Sequence, residues 1–273
     1  MIHLNGRMVD AAAARIDPAD RGLLLADGLF ETLRAYRGRP FALDAHLARL
    51  AAGAHVLGLP MPATAKMEAA VAETLAANRI ADATLRITLT RGSGPRGLLP
   101  PEHPIPTLLV TASPPGAAPT GWRARIASIR RNEHSPLSRL KTLAYLDNVL
   151  ALKEVAVAKA DEALMLNTAG RLAGGSRSNL FLMLSGVLVT PPESEGVLPG
   201  IARGQLLALA AAERIETREA PLSPEDLDLA GEAFASNSVA EVVPLLDANG
   251  ASLPCGPVTT LLARRYAEVA RSG

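Results

Sequence analysis

The chain has 273 residues, 48% of them hydrophobic, and a formal net charge of +1. That length and apolar share suffice for a substantial core or two modest domains. A near-neutral chain argues against nucleic acid or an anionic membrane as the main partner, since both reward a clearly basic face. The single cysteine, Cys255, cannot close an internal disulfide, the opening Met1 to Arg7 lacks the features of a signal peptide, and no uninterrupted apolar run is long enough to cross a bilayer. The expectation is a cytoplasmic, soluble protein acting on a small molecule.

In chain order, Ile2 to Leu4 and Arg7 to Val9 read as a hairpin turned by Asn5-Gly6. Leu33 to Leu43 reads as a second hairpin with its turn at Arg37 to Pro40. From Asp44 the apolar period lengthens, and Asp44 is expected to cap a helix running through His46, Leu47, Leu50 and Ala51 toward Val56, with Arg49 on it. A further helix is expected over Ala63 to Asn78, a strand over Thr84 to Thr90, and a glycine-rich loop over Arg91 to Gly97. Ala112 to Thr120, rich in Pro, Gly and small residues, is the expected linker.

Domains are accordingly expected at 1–115 and 116–273. In the second, Trp122 to Ile129 reads as a strand, Leu146 to Ala160 as a helix, and Ala163 to Asn167, Leu180 to Leu184 and Val187 to Thr190 as strands. Gly200 to Ala212 reads as a helix, Ser223-Pro-Glu-Asp226 opens another by its capping pattern, Glu232 to Ala235 is a strand, and Val258 to Arg271 closes the chain as an amphipathic helix.

Chemistry is expected at Lys141, in the stretch Ser135 to Leu152. The chain has only four lysines, at positions 66, 141, 153 and 159, against a large excess of arginines. An ammonium in apolar company is destabilised relative to the amine, and the amine is the form that adds to an aldehyde. The alternative is a lysine whose head snorkels to water beside a helix start. Three turns follow it: Gly174 to Asn179, Leu198 to Arg203, and Ser236 to Glu241. Exposed N–H groups at such turns suit anions, and the second leads straight into a helix, although each taken alone favours an ordinary strand-to-helix connection, and none matches a Walker or Rossmann fingerprint. His3, His46, His55, His103 and His134 show no metal-ligand spacing, and no metal is expected.

The blocks Asp20-Arg-Gly22, Asp27-Gly-Leu-Phe-Glu-Thr32, His46-Leu-Ala-Arg49-Leu50, Arg139-Leu-Lys141, Ser178-Asn-Leu-Phe181, Leu198-Pro-Gly-Ile-Ala-Arg203 and Ser236-Asn-Ser-Val-Ala-Glu-Val-Val-Pro244 together resemble the class IV aminotransferases. These are the fold-type IV pyridoxal-phosphate enzymes, among them branched-chain and D-amino-acid aminotransferases and 4-amino-4-deoxychorismate lyase. The resemblance spans nearly the whole chain. It implies a two-domain α/β fold with a smaller N-terminal and a larger C-terminal domain, pyridoxal 5'-phosphate in the crevice between them, and a homodimer. It places Lys141 on the Schiff-base lysine and Arg49 on the phosphate-binding arginine. Ile201, Ala202, Ser238 and Val239 fall on turns that reach the phosphate largely through backbone groups. An arginine suits phosphate by its fork of donors, and alanine or valine suits a place where only an N–H is used.

One departure stands out. Relatives carry a glutamate five residues before the asparagine of Ser178-Asn179, facing the cofactor's ring nitrogen; here that residue is Gly174. Its loss implies slower turnover, a replacement partner, or a reaction that needs less ring delocalisation. Phe30, Thr32, Arg96 and Asn237 resemble positions near substrate, with Thr32 beside the lysine suited to steering protons. The expected reaction is amino transfer between an α-amino acid and a keto acid. The alternative is release of pyruvate by an aminodeoxychorismate lyase, and a third reading is a weak cofactor-binding homologue.

Overall fold

The computed structural model describes residues 1–272, which pack as two compact units: Met1–Gly116 together with Leu140–Ala144, and Ala117–Arg139 together with Tyr145–Ser272. The segment bearing Lys141 thus folds with the first unit, although its sequence neighbours on both sides belong to the second. Seven α-helices and fifteen strands are found among the described residues.

The first unit holds β1 (Ile2–Leu4), β2 (Arg7–Val9), α1 (Arg21–Leu25), β3 (Gly28–Tyr36), β4 (Arg39–Pro40), α2 (Leu43–Leu57), α3 (Thr64–Asn78), β5 (Ala83–Thr90) and β6 (Thr107–Ser113). Its six strands form one antiparallel sheet in the order β2-β1-β6-β5-β3-β4. Side chains alternate across a pleated strand, so Leu29, Leu33 and Ala35 of β3 join Leu85, Ile87 and Leu89 of β5 on the face that packs against Leu47, Leu50, Met67 and Val71 of the helices. Phe30, Thr32, Arg34 and Tyr36 take the opposite face, with Thr88, Arg86 and Thr84 as their register partners for the first three.

The second unit holds β7 (Trp122–Arg131), α4 (Leu146–Ala156), β8 (Glu162–Asn167), β9 (Leu172–Gly175), β10 (Asn179–Leu184), β11 (Val187–Thr190), α5 (Ile201–Ala212), β12 (Thr217–Glu219), α6 (Asp226–Leu229), β13 (Glu232–Asn237), β14 (Glu241–Ala248), β15 (Ala251–Ser252) and α7 (Pro257–Ser272). Its nine strands form a mixed sheet ordered β12-β11-β10-β13-β14-β7-β8-β9, with β15 beside β14. Phe181 and Phe234, both fully buried, stack at 4.8 Å across the β10–β13 pair.

Several boundaries differ from expectation, each for a physical reason. Asp44 does not cap α2: the cap residue is Ala42, at φ 53°, and Asp44 lies in the first turn, where its charge favours the positive end of the helix. Asp20 is the side chain that caps a helix here, accepting from Gly22 N–H at 2.7 Å. The helix after Lys141 ends at Ala156 rather than Ala160, and β6 carries Ala112 and Ser113 of the expected linker. At Ser223 the capping pattern runs in reverse, with the Asp226 carboxylate accepting from Ser223 N–H at 2.7 Å. Glu232 of β13 caps α7 from a distance, accepting from Val258 and Thr259 N–H.

One carboxylate should contribute visibly to the acid response of the second unit. Glu133 accepts from Thr168 N–H at 3.0 Å and from its hydroxyl at 2.8 Å, and these bonds, the backbone one first, hold its pKa down to about 2 from the usual 4.5. A depressed carboxylate contributes stability above its unfolded pKa and loses it as pH falls through the folded value. Urea unfolding of the parent and of Glu133→Gln should therefore differ most above pH 4.5 and converge toward pH 2.

Candidate active site

The first unit holds Lys141 at the edge of β3. Phe30 N–H donates to Lys141 C=O at 2.9 Å and Leu143 N–H donates to Gly28 C=O at 3.0 Å, so the Leu140–Ala144 segment is pinned to the strand by sheet hydrogen bonds. Gly28 is needed there, because an added Cβ would sit 2.6 Å from Leu89 O and 2.9 Å from Leu143 Cδ1. Lys141 is half-buried, and its Nζ lies 4.4 Å from the centroid of the Phe30 ring. The Arg86 guanidinium lies 3.8 Å from the same centroid, which limits the separation of the two cationic heads to at most 8.2 Å. Thr32 is half-buried on this face, opposite Arg86 in register. Arg86 was missed in the sequence because it reads as one more polar residue of an alternating strand.

Arg49 is reached from the other face of β3. Glu31, fully buried, accepts from Arg49 Nε at 2.8 Å, from Arg49 Nη2 at 2.6 Å and from His46 Nδ1 at 2.7 Å. Burial opposes ionisation of Glu31, but the bonds from His46 and Arg49 outweigh it and hold its pKa below the usual value. An ionised carboxylate only accepts, so His46 Nδ1 carries the proton of that bond.

The Asp20-Arg-Gly22 and Asp27-Gly28 blocks are structural. Asp27 Oδ2 accepts from Arg21 Nε at 2.9 Å and from Arg91 Nε at 2.8 Å. Arg21 in turn grips the carbonyls of Gly97 and Leu98, and Arg91 those of Leu57 and Gly58. Arg96 is an exposed residue of the loop that Arg21 holds.

In the second unit, three of the sequence blocks meet. Asn179 of β10 pairs in register with Ser236 of β13, and its side-chain amide donates to Leu198 C=O at 3.0 Å. A Cβ on Gly200 would overlap Asn179 Oδ1, so the backbone entering α5 lies directly against Asn179. The start of α5 at Ile201 and Ala202 has no side-chain cap, which leaves its first N–H groups suited to an anion. The Ser236 hydroxyl, on the strand paired with Asn179, is buried and has no hydrogen-bond partner among the described residues. Asn237 closes its own turn, its Oδ1 accepting from Val239 N–H at 2.9 Å and Ala240 N–H at 2.7 Å. The Val239 N–H is therefore engaged within the turn, and Ser238 is the residue of that turn with a hydroxyl to offer. An uncapped helix start and an orphaned hydroxyl fit a phosphate group.

Gly174 sits at φ 90° in β9, with an added Cβ 3.1 Å from Ser178 O. The half-buried Arg131 donates through its guanidinium to the carbonyls on either side of it, Ala173 at 2.8 Å and Gly175 at 3.1 Å. The nearby Glu162, fully buried, accepts from Ser176 Oγ at 2.5 Å and Ser178 Oγ at 2.8 Å. Glu241 is not available as a substitute carboxylate, since it pairs with Arg271 at 2.8 Å. Among the described residues no group of His, Cys, Asp and Glu could hold a metal ion, and no helix is long and apolar enough to cross a membrane.

The family described as amino-transferase class IV matches residues 28–247. The chain belongs to amino-transferase class IV. A Methanocaldococcus jannaschii protein provisionally named a branched-chain-amino-acid aminotransferase is 38% identical over 98% of this chain and 96% of its own. The solved branched-chain aminotransferase of the thermophilic archaeon Thermoproteus uzoniensis, with norvaline, aligns at TM-score 0.94, 31% identical, over 99% of this chain and 94% of that one. The solved 4-amino-4-deoxychorismate lyase of Pseudomonas aeruginosa aligns at TM-score 0.88, 33% identical, over 97% of both chains. Another solved branched-chain amino acid aminotransferase of this fold holds pyridoxamine 5'-phosphate. The fold is that of the fold-type IV enzymes, and the class IV chain is a pyridoxal-phosphate-dependent transaminase.

Proposed function

We propose that this transaminase carries its cofactor on Lys141, holds the cofactor's phosphate with Arg49 and with the backbone at Ile201, Ala202 and Ser238, and moves an amino group between an apolar α-amino acid and an acidic 2-keto acid. The observation that carries this reading is the shared Phe30 ring, which brings the Arg86 guanidinium within 8.2 Å of Lys141 Nζ. A guanidinium at that range suits a carboxylate of a substrate whose reacting carbon lies at the lysine. The aliphatic donor is supported by the relatives named for branched-chain amino acids.

Bound at Lys141, the cofactor supplies an electron sink for the bond broken at Cα. The chain's own work is positional. Lys141 Nζ, fixed through its main chain to β3 and freed once the substrate amine takes its place, would be the base that takes the substrate Cα proton and delivers it to the cofactor carbon that keeps the amino nitrogen. Phe30 presents an apolar wall to the substrate, Arg86 receives the distal carboxylate, and Thr32, opposite Arg86, offers a hydroxyl for proton relay. Thr32, together with the lyase relative, supports a second reading in which the proton is steered toward release of pyruvate. The Gly174 position offers no carboxylate to the cofactor ring, which favours slow breaking of the Cα–H bond.

We also propose a homodimer. Leu23, Leu24, Leu98, Leu99 and Ile105 of the first unit are 59 to 84% exposed, and Arg21 ties the helix bearing the first two to the loop bearing the next two. Aliphatic side chains held out together by a buried arginine suit a second copy of the chain.

Three outcomes are expected. Lys141→Ala should lose the bound-cofactor absorbance and the activity together, and borohydride reduction of the parent should label Lys141; a label on Lys153 or Lys159 would refute the assignment. Arg86→Gln should raise KM for glutamate or 2-oxoglutarate by roughly tenfold or more, the loss expected for one charge-assisted bond of about 1.5 to 3 kcal/mol. KM for an aliphatic donor should stay nearly unchanged, and pyruvate release from aminodeoxychorismate, assayed beside it, would favour the second reading. Sedimentation should give a dimer for the parent and a monomer for Leu98→Asp/Leu99→Asp.

A further inference from the structure

We propose that Glu31, braced by His46, is a positioning residue that aims the Arg49 guanidinium at the cofactor's phosphate. The inference rests on the reading that Arg49 binds that phosphate. Glu31 is 0% exposed, lies on the helix side of β3, and faces the α2 residues His46 and Arg49, which are three positions apart and share one face of the helix.

The pattern of bonds decides which edge of the arginine is presented. Glu31 takes the Nε and Nη2 donors, at 2.8 and 2.6 Å, and so grips the side edge of the planar guanidinium. The edge formed by Nη1 and Nη2 is the one Glu31 does not grip, and it carries the two parallel donors that match a pair of phosphate oxygens. His46 Nδ1 at 2.7 Å adds a third bond to the two carboxylate oxygens, which fixes the rotation of Glu31 itself.

Two effects oppose each other here. An anion beside Arg49 weakens its attraction for phosphate, whereas a fixed guanidinium spares the ordering of a flexible side chain. The opposing charge is partly offset because His46 donates to Glu31 and withdraws density from the same carboxylate. Freeing Arg49 would also leave the wholly buried Glu31 with only His46 as partner for its charge, an arrangement less stable than the observed one. Orientation is thus the effect that the arrangement serves.

The test uses the full-length apo protein, titrated separately with pyridoxal 5'-phosphate and with phosphate-free pyridoxal, with dissociation constants read from fluorescence. In Glu31→Gln the phosphorylated ligand should bind roughly 10- to 100-fold more weakly, the range typical of partners that orient a ligand-binding group, and pyridoxal should be unaffected. An equal loss for both ligands, or no loss, overturns the proposal. Should Glu31→Gln not fold, His46→Gln removes one of the three bonds and should show the same selectivity at smaller size; an equal loss for the two ligands there, or none, overturns the proposal as well. Arg49→Lys separates the two levels of the argument. If it leaves retention of the phosphorylated ligand unchanged, the assignment of Arg49 fails, and with it the proposal. If it weakens retention while Glu31→Gln does not, Arg49 stands and the positioning role falls.

Discussion

The first unit depends on a borrowed strand edge. Leu140–Ala144 leaves its sequence neighbours and hydrogen-bonds to β3 through the Phe30 N–H and the Gly28 carbonyl. A lysine placed this way has its main chain fixed by a sheet rather than by a loop, and only its side chain retains freedom. Everything near it follows from the pleat of the same strand. Phe30 turns to the lysine and carries Arg86 on its ring, while Glu31, one residue on, turns to α2 and carries Arg49. Adjacent residues of one strand thus sort three cationic side chains, Lys141 and Arg86 onto one face and Arg49 onto the other.

What the sequence disclosed was whatever is local. The Asn5-Gly6 hairpin, the periodicity of α3 and the alternation of β5 each carry their signal within a few residues, and each was legible. Strand β9 was not, because Leu-Ala-Gly-Gly has little intrinsic strand preference and exists through its pairing with β8. Strand β14 was hidden by Pro244, which ordinarily speaks against a strand in mid-sheet. The family's motif blocks were legible as blocks, but the grouping of Glu31 with His46 and Arg49, or of Asn179 with Gly200 and Ser236, is a product of the fold. Asp20 illustrates the difference: as sequence it is one residue of a motif, whereas in the structure it caps α1 and accepts from the hydroxyls of Thr90 and Thr107 at 2.8 and 2.7 Å.

Many of the chain's charges are spent on its own backbone. Arg21, Arg91 and Arg131 each donate to two or more main-chain carbonyls, and so fix the loop at Gly97 and Leu98, the end of α2 and the short strand β9. Such a residue cannot be judged by charge alone, since its loss would release a loop as well as a cation. The near-neutral total therefore describes solubility and partners, and says little about which arginines face a substrate.

Gly174, where the family resemblance implies a glutamate, is part of this use of arginine. Residue 174 lies at φ 90°, where side chains are strained, and both carbonyls flanking it are held by Arg131. Burial is the main influence on Arg131 and lowers its pKa, while Tyr145 and Glu162 act in the opposite direction. Its guanidinium is thus the charged group around which this turn is built. A carboxylate introduced at 174 would meet a strained backbone first and the nearby Arg131 second, and an arginine is a stronger partner for it than a pyridine nitrogen. A glutamate placed at 174 would thus have the Arg131 guanidinium, which holds both flanking carbonyls, as a competing partner for its charge.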